Sequence, residues 1–132
     1  MKIDVSIVGG GPSGLSAALV LGRCHRRALI CDDGMPRNRF SHAVHGLLGH
    51  EGREPSALLG TARDELQKYP TLSYRNTRVL DIQAVSEGFE YSCADGTSGS
   101  ASKLLLASGI VDELPEIVGV EKLYGISVHH CL

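Results

Sequence analysis

Apolar side chains recur along this chain with two different periods, and each change of period marks an element. Ile3, Val5, Ile7 and Val8 form a β-prone run that stops at Gly9, Gly10 and Gly11, which predicts a strand over 3–8. From Gly14 to Cys24 the period lengthens, and Leu15, Ala18, Leu19 and Gly22 share one face of a predicted helix. "RALIC", Arg27 to Cys31, is largely apolar, long enough for a buried strand and too short for a helix. Asp32, Asp33 and Gly34 end it. Strand, helix and strand in this order predict a parallel pair, because the helix carries the chain back to the starting edge. Residues 35–53 keep neither period and are rich in Gly, His and Arg; a long irregular stretch inside a domain ordinarily serves a function or wraps a ligand.

A second helix is predicted over 55–69, with Pro55 in its first turn and Leu58, Leu59, Ala62, Leu66 and Tyr69 on one face. Asp64 and Lys68 form a favourable i,i+4 pair, and Pro70 ends the helix. Strands follow over 78–85 and 89–93 around a turn at Gly88, and a further strand over 103–107 runs into Ser108 and Gly109. From Ile110 onward no period is strong, and no internal repeat is present. The expected fold class is α/β: a Rossmann-like βαβ fold with a parallel sheet and a small antiparallel β-meander.

The loop after the first strand reads "VGGGPSG", which places Gly9, Gly11 and Gly14 in the G-x-G-x-x-G spacing. The first glycine permits the tight turn, the second lets a pyrophosphate approach the backbone, and the third lets helix and strand pack closely. The following helix offers unpaired N–H groups and partial positive charge to the phosphates. Asp32 stands at the end of the second strand, 18 residues beyond Gly14, where a carboxylate accepts hydrogen bonds from both hydroxyls of an adenosine ribose. Asp33 is the alternative, since a strand end is uncertain by a residue. The pattern predicts a dinucleotide site, and this end is shared by FAD and NAD.

Composition narrows the partners. The 132 residues carry a formal charge of −2, which argues against nucleic acid or an anionic membrane as the main partner. The basic cluster of Arg23, His25, Arg26 and Arg27 reads as a solvated helix end. Cys24, Cys31, Cys93 and Cys131 form no C-x-x-C pair, the start does not read as a signal peptide, and no run approaches the roughly 18 apolar residues of a membrane span. The expected setting is a reducing cytoplasm.

"DVSIVGGGPSGLSAALVLGR", "ALICDDGMPRN", "HAVHGLLGHEG", "LLLASG" and "GISVHHC" fall in one order. In that order the chain resembles the N-terminal part of the thioredoxin-reductase-like, FAD-dependent pyridine nucleotide-disulfide oxidoreductases, over essentially its whole length. "CDDGMPRN" with "HGLLG" is similar to the bacterial and fungal reductase-like branch. The resemblance implies FAD on Gly9, Gly11, Pro12, Ser13 and Gly14, with Asp32 at the ribose. It places Arg37 and Asn38 along the flavin, His45 in the loop lining it, and the backbone of Val79 at the adenine edge. Ala107, Ser108 and Gly109 correspond to the strand end that passes the flavin; Ser108 stands where the family usually has Thr and keeps the hydroxyl.

The resemblance also implies that residues 1–110 form part of an FAD-binding domain and 111–132 a connector into an NADPH-binding, redox-active domain. Cys131 matches the first cysteine of the family's C-x-x-C pair, whose partner this sequence lacks. The expectation is therefore a truncated portion of a reductase that takes electrons from NAD(P)H to a thioredoxin-like or small disulfide substrate, and that is not competent alone. A homodimer is left open. Three other readings compete: a metal site at His129, His130 and Cys131, with His42, His45 or His50; an NAD-binding dehydrogenase domain; and a non-catalytic dinucleotide-binding chain. Adjacent histidines in an extended segment point to opposite faces, which weakens the first.

Overall fold

In the computed structural model, which describes residues 3–129, the first strand β1 (Ile3–Val8) leads through the glycine loop into helix α1 (Pro12–Arg23), and β2 (Ala28–Asp32) returns beside β1. A short 3-10 turn, Arg37–Phe40, interrupts the irregular stretch before helix α2 (Pro55–Leu66). Then come β3 (Leu72–Asn76), β4 (Val79–Val85), β5 (Gly88–Cys93), β6 (Ser98–Leu106) and a single turn of helix, α3 (Val120–Leu123). Among the described residues the strands join in the order β3-β2-β1-β6-β5-β4, parallel from β3 through β6 and antiparallel from β6 through β4. This is the expected α/β arrangement of parallel sheet and antiparallel meander. None of the described helices is long and apolar enough to cross a membrane.

The parallel sheet is covered on both faces. Ala28 and Ile30 of β2 join Ile7, Leu15, Ala18, Leu59 and Leu66 in a core beneath α1 and α2. The intervening Leu29 and Cys31 pack with Tyr91 and Cys93 of β5 on the opposite face. A strand buried on both faces must be apolar at successive positions, which is why "ALIC" shows no alternation. Because β5 is not a ladder neighbour of β2, this second cluster requires the meander to fold back over the sheet. β6 makes that possible: it pairs with β5 over Ser98–Ala101 and with β1 over Ala101–Leu106.

Several bounds differ from the sequence expectation. α1 begins at Pro12 rather than Gly14, because proline at the first helical position has the right φ and lacks only an N–H that would be unpaired anyway. β6 begins at Ser98 rather than Lys103; its first half is small and polar, and at Gly99 an added Cβ would lie 2.5 Å from the Tyr91 hydroxyl. β3 was not expected at all. As the outer parallel strand its "LSYRN" keeps mostly exposed or half-buried positions and shows no apolar signal. The basic cluster ends at Arg27, whose guanidinium lies 3.3 Å from Asp4.

Candidate functional site

β1 connects to β2 on one side, while β6 lies on the other, so the C-terminal ends of β1 and β6 flank a topological switch point, where open α/β sheets bind ligands. A cleft of about 1020 Å³ opens there. Its floor is the glycine loop. Gly9 has φ +107, accessible to glycine and strained for other residues, and its N–H donates to the Cys31 carbonyl at 2.8 Å. A Cβ on Gly9 would stand 2.2 Å from the Ala107 carbonyl oxygen, and one on Gly14 would stand 1.9 Å from the Gly9 carbonyl oxygen. The loop, the β6 end and α1 are thus in backbone contact. Gly11 differs, since a Cβ there would meet no atom within 4 Å. The first intrahelical bond runs from the Leu15 N–H to the Gly11 carbonyl, so the amides of Ser13 and Gly14 precede it and lie at the positive end of the helix.

Asp32 closes one end of the cleft. Its Oδ1 accepts from the Gly10 N–H at 3.0 Å, and its Oδ2 accepts from the Tyr74 hydroxyl at 2.5 Å and from Arg63 Nη2 at 3.4 Å. The Asp32 side chain is only 11% exposed. Burial, and then the neighbouring Asp32 carboxylate, push the Tyr74 phenol well above its ordinary pKa. The Arg63 guanidinium lies over the Tyr74 ring, 5.3 Å from its centre, and its Nε is buried with no hydrogen-bond partner among the described residues. Asp33 has other partners: it accepts from the Met35 N–H and from Arg78 Nε, both at 3.1 Å. Of the two candidate aspartates, Asp32 is the one bonded to the glycine loop.

A second wall comes from the 37–40 turn and the segment after β6. Arg37 donates through Nε and Nη2 to the Asp112 carboxylate, at 2.9 and 2.6 Å, and the Tyr124 hydroxyl donates to the same carboxylate at 2.6 Å. The Asp112 carboxylate in turn raises the Tyr124 phenol pKa. Phe40 meets Tyr124 edge to face with ring centres 5.3 Å apart.

Gly9, Gly11, Pro12, Ser13, Asp32 and Asp33 all line this one cleft. So do Arg37, Asn38, Val79 and the β6 end, Ala107, Ser108 and Gly109. Gly14 underlies the loop through its contact with Gly9. His45 is not brought into the cleft. It is exposed, and its Nδ1 lies 2.7 Å from Glu51 Oε1, which with the Gly46 N–H holds the Glu51 carboxyl below its ordinary pKa. Cys131 and His130 lie outside the described residues, and with them most of the metal-site alternative.

Sequence reasoning did not single out Gly10, Arg63, Tyr74, Asp112 or Tyr124. Arg63 had a readable signal: it stands four residues after Leu59 and three before Leu66, so a cation occupies the core-facing stripe of α2 and needs a partner. Asp112 and Tyr124 lie in a segment without periodicity, and nothing local announces their pairing with Arg37.

A family model described as pyridine nucleotide-disulphide oxidoreductase matches residues 3–131. Thioredoxin reductase tcpT of Claviceps purpurea is 36% identical over 137 residues, covering 98% of this chain and 41% of that protein. Thioredoxin reductase sirT of Leptosphaeria maculans is 35% identical over 133 residues, with 98% and 40% covered. Among solved structures, an oxidoreductase from Agrobacterium tumefaciens superposes with a TM-score of 0.92 at 43% identity, covering 99% of this chain and 44% of that one. The chain therefore spans less than half the length of the relatives it matches.

Proposed function

The chain belongs to the pyridine nucleotide-disulphide oxidoreductases, and from that premise we propose that it supplies the FAD-holding part of a thioredoxin-reductase-like disulfide oxidoreductase. The observation that carries the reading is Gly11. Its neighbours in the motif are filled by backbone, whereas the direction in which its Cβ would project is open and faces a cleft floored by helix amides. Open space bounded by N–H groups is what a diphosphate needs, so the residues present fit the cofactor.

On this reading Gly9, Gly11, Pro12, Ser13 and Gly14 hold the pyrophosphate, and Asp32 accepts from the ribose hydroxyls. Val79 flanks the adenine, while Asn38, Ala107, Ser108 and Gly109 flank the flavin. Arg37, tied to Asp112, braces the wall instead of reaching out alone. His45 takes no part. FAD, when bound, supplies a two-electron carrier for passage of reducing equivalents from NAD(P)H to a disulfide. Cys131 stands as the first cysteine of the redox pair in the whole enzyme, with a thioredoxin-like or small disulfide partner.

The test is equilibrium dialysis of FAD and of ADP against the chain and against Asp32→Ala. Loss of a partly buried acceptor is expected to weaken both ligands by about 1–3 kcal/mol. Unchanged affinity in the variant would remove Asp32 from the site.

A further inference from the structure

The acceptor inventory of Asp32 leads beyond the cofactor reading while resting on it. An ionised carboxylate offers about four acceptor positions, two on each oxygen. Gly10 N–H takes one on Oδ1 and the Tyr74 hydroxyl takes one on Oδ2, while Arg63 makes a longer contact at 3.4 Å. Two positions then remain for a ligand, one outright and one shared with the weak Arg63 contact, and a ribose carries two hydroxyl donors. Tyr74 does not line the cleft; it reaches Asp32 from β3, the strand beside β2. Its ring is in turn covered by the Arg63 guanidinium from α2.

We infer that Tyr74, steadied by Arg63, is a positioning residue that fixes the rotation of the Asp32 carboxylate and thereby sets how strongly the site selects a ribose bearing both hydroxyls. Without the phenol the carboxylate keeps the Gly10 N–H on Oδ1 and only the long Arg63 contact on Oδ2, and it can turn more freely about its Cβ–Cγ bond. A turned carboxylate still attracts one hydroxyl but no longer meets both. Tyr74 thus acts on discrimination between ligands as well as on affinity.

The experiment compares ADP with 2′-deoxy-ADP by calorimetry on the unaltered chain, Tyr74→Phe, Asp32→Ala and the double variant. Tyr74→Phe keeps the ring beneath Arg63, on a residue 40% exposed, so the fold is retained. Expected is a loss of about three- to tenfold for ADP and a smaller loss for 2′-deoxy-ADP, so that the preference between them shrinks. Added to Asp32→Ala, the same substitution is expected to change nothing. Arg63→Met, which keeps the packing stem and removes the guanidinium, should shift the preference in the same direction by less. Equal losses for both ligands, or a full loss in the Asp32→Ala background, would assign Tyr74 a merely structural role and overturn the inference. No ADP binding by the unaltered chain would remove the cofactor reading and this inference together; binding that Tyr74→Phe leaves untouched would remove this inference alone.

Discussion

Three glycines of one motif differ in what they exclude. At Gly9 and Gly14 a methyl group would collide with backbone, so these residues serve the fold; at Gly11 it would meet only open space, so that residue serves what enters the cleft. The same distinction between burial and access governs Cys31. The residue borders the cleft, yet it is 1% exposed and packs beside Cys93. Burial, and then the neighbouring Cys93, push the Cys31 thiol up to about 11 from 9.0. A raised folded-state value means that the neutral thiol is the form the fold favours. The contribution is complete below about pH 9 and disappears as pH rises through about 11. Urea midpoints at pH 8, 9.5 and 11 are expected to fall for the unaltered chain, and to fall less for Cys31→Ala; identical slopes would contradict this. The motif glycines and Asp32 were legible in the sequence because they stand at fixed spacing in a short strand-loop-helix-strand unit. Tyr74 and Asp112 were not, since their partners lie 42 and 75 residues away in the chain.

At the scale of elements, β6 joins the two parts of the sheet. Ala101 is 2% exposed and pairs with Ile3 on one side and Phe89 on the other, at the point where the strand passes from meander to parallel sheet. Close packing there leaves no room for a larger side chain. Ala101→Leu is expected to cost about 1–3 kcal/mol of stability through overpacking, read from chemical denaturation; a cost within experimental error would contradict the description of β6 as the shared strand. The central elements, β1, α1 and β2, were readable because their burial imposes clean periods. β3 was not, because an outer strand with mostly exposed or half-buried side chains carries no such constraint. His45 illustrates the converse: a chemically suggestive residue in an irregular stretch whose backbone path no period fixes, and which turns to Glu51 instead of the cleft.

Across the whole molecule the apolar side chains divide unequally. Two buried clusters fill the spaces between helices, sheet and meander, while Leu106 at the end of β6 and Ile110, Val111, Ile117, Val118 and Ile126 beyond it are largely exposed. The cleft stands between these two regions, with the glycine loop as its floor and its far wall braced by the Arg37–Asp112 pair. On the proposed function, the adenosine diphosphate end of the cofactor rests on residues of this chain. Calorimetric titration of ADP into the unaltered chain and into Gly11→Val tests that assignment most directly. Gly11 has φ −74, a conformation open to valine, and an added Cβ meets nothing, so the variant is expected to fold normally while filling the space reserved for phosphate. Saturable binding of one ADP by the unaltered chain and none by the variant is expected; equal binding by both would refute the assignment of Gly11 to the phosphate site.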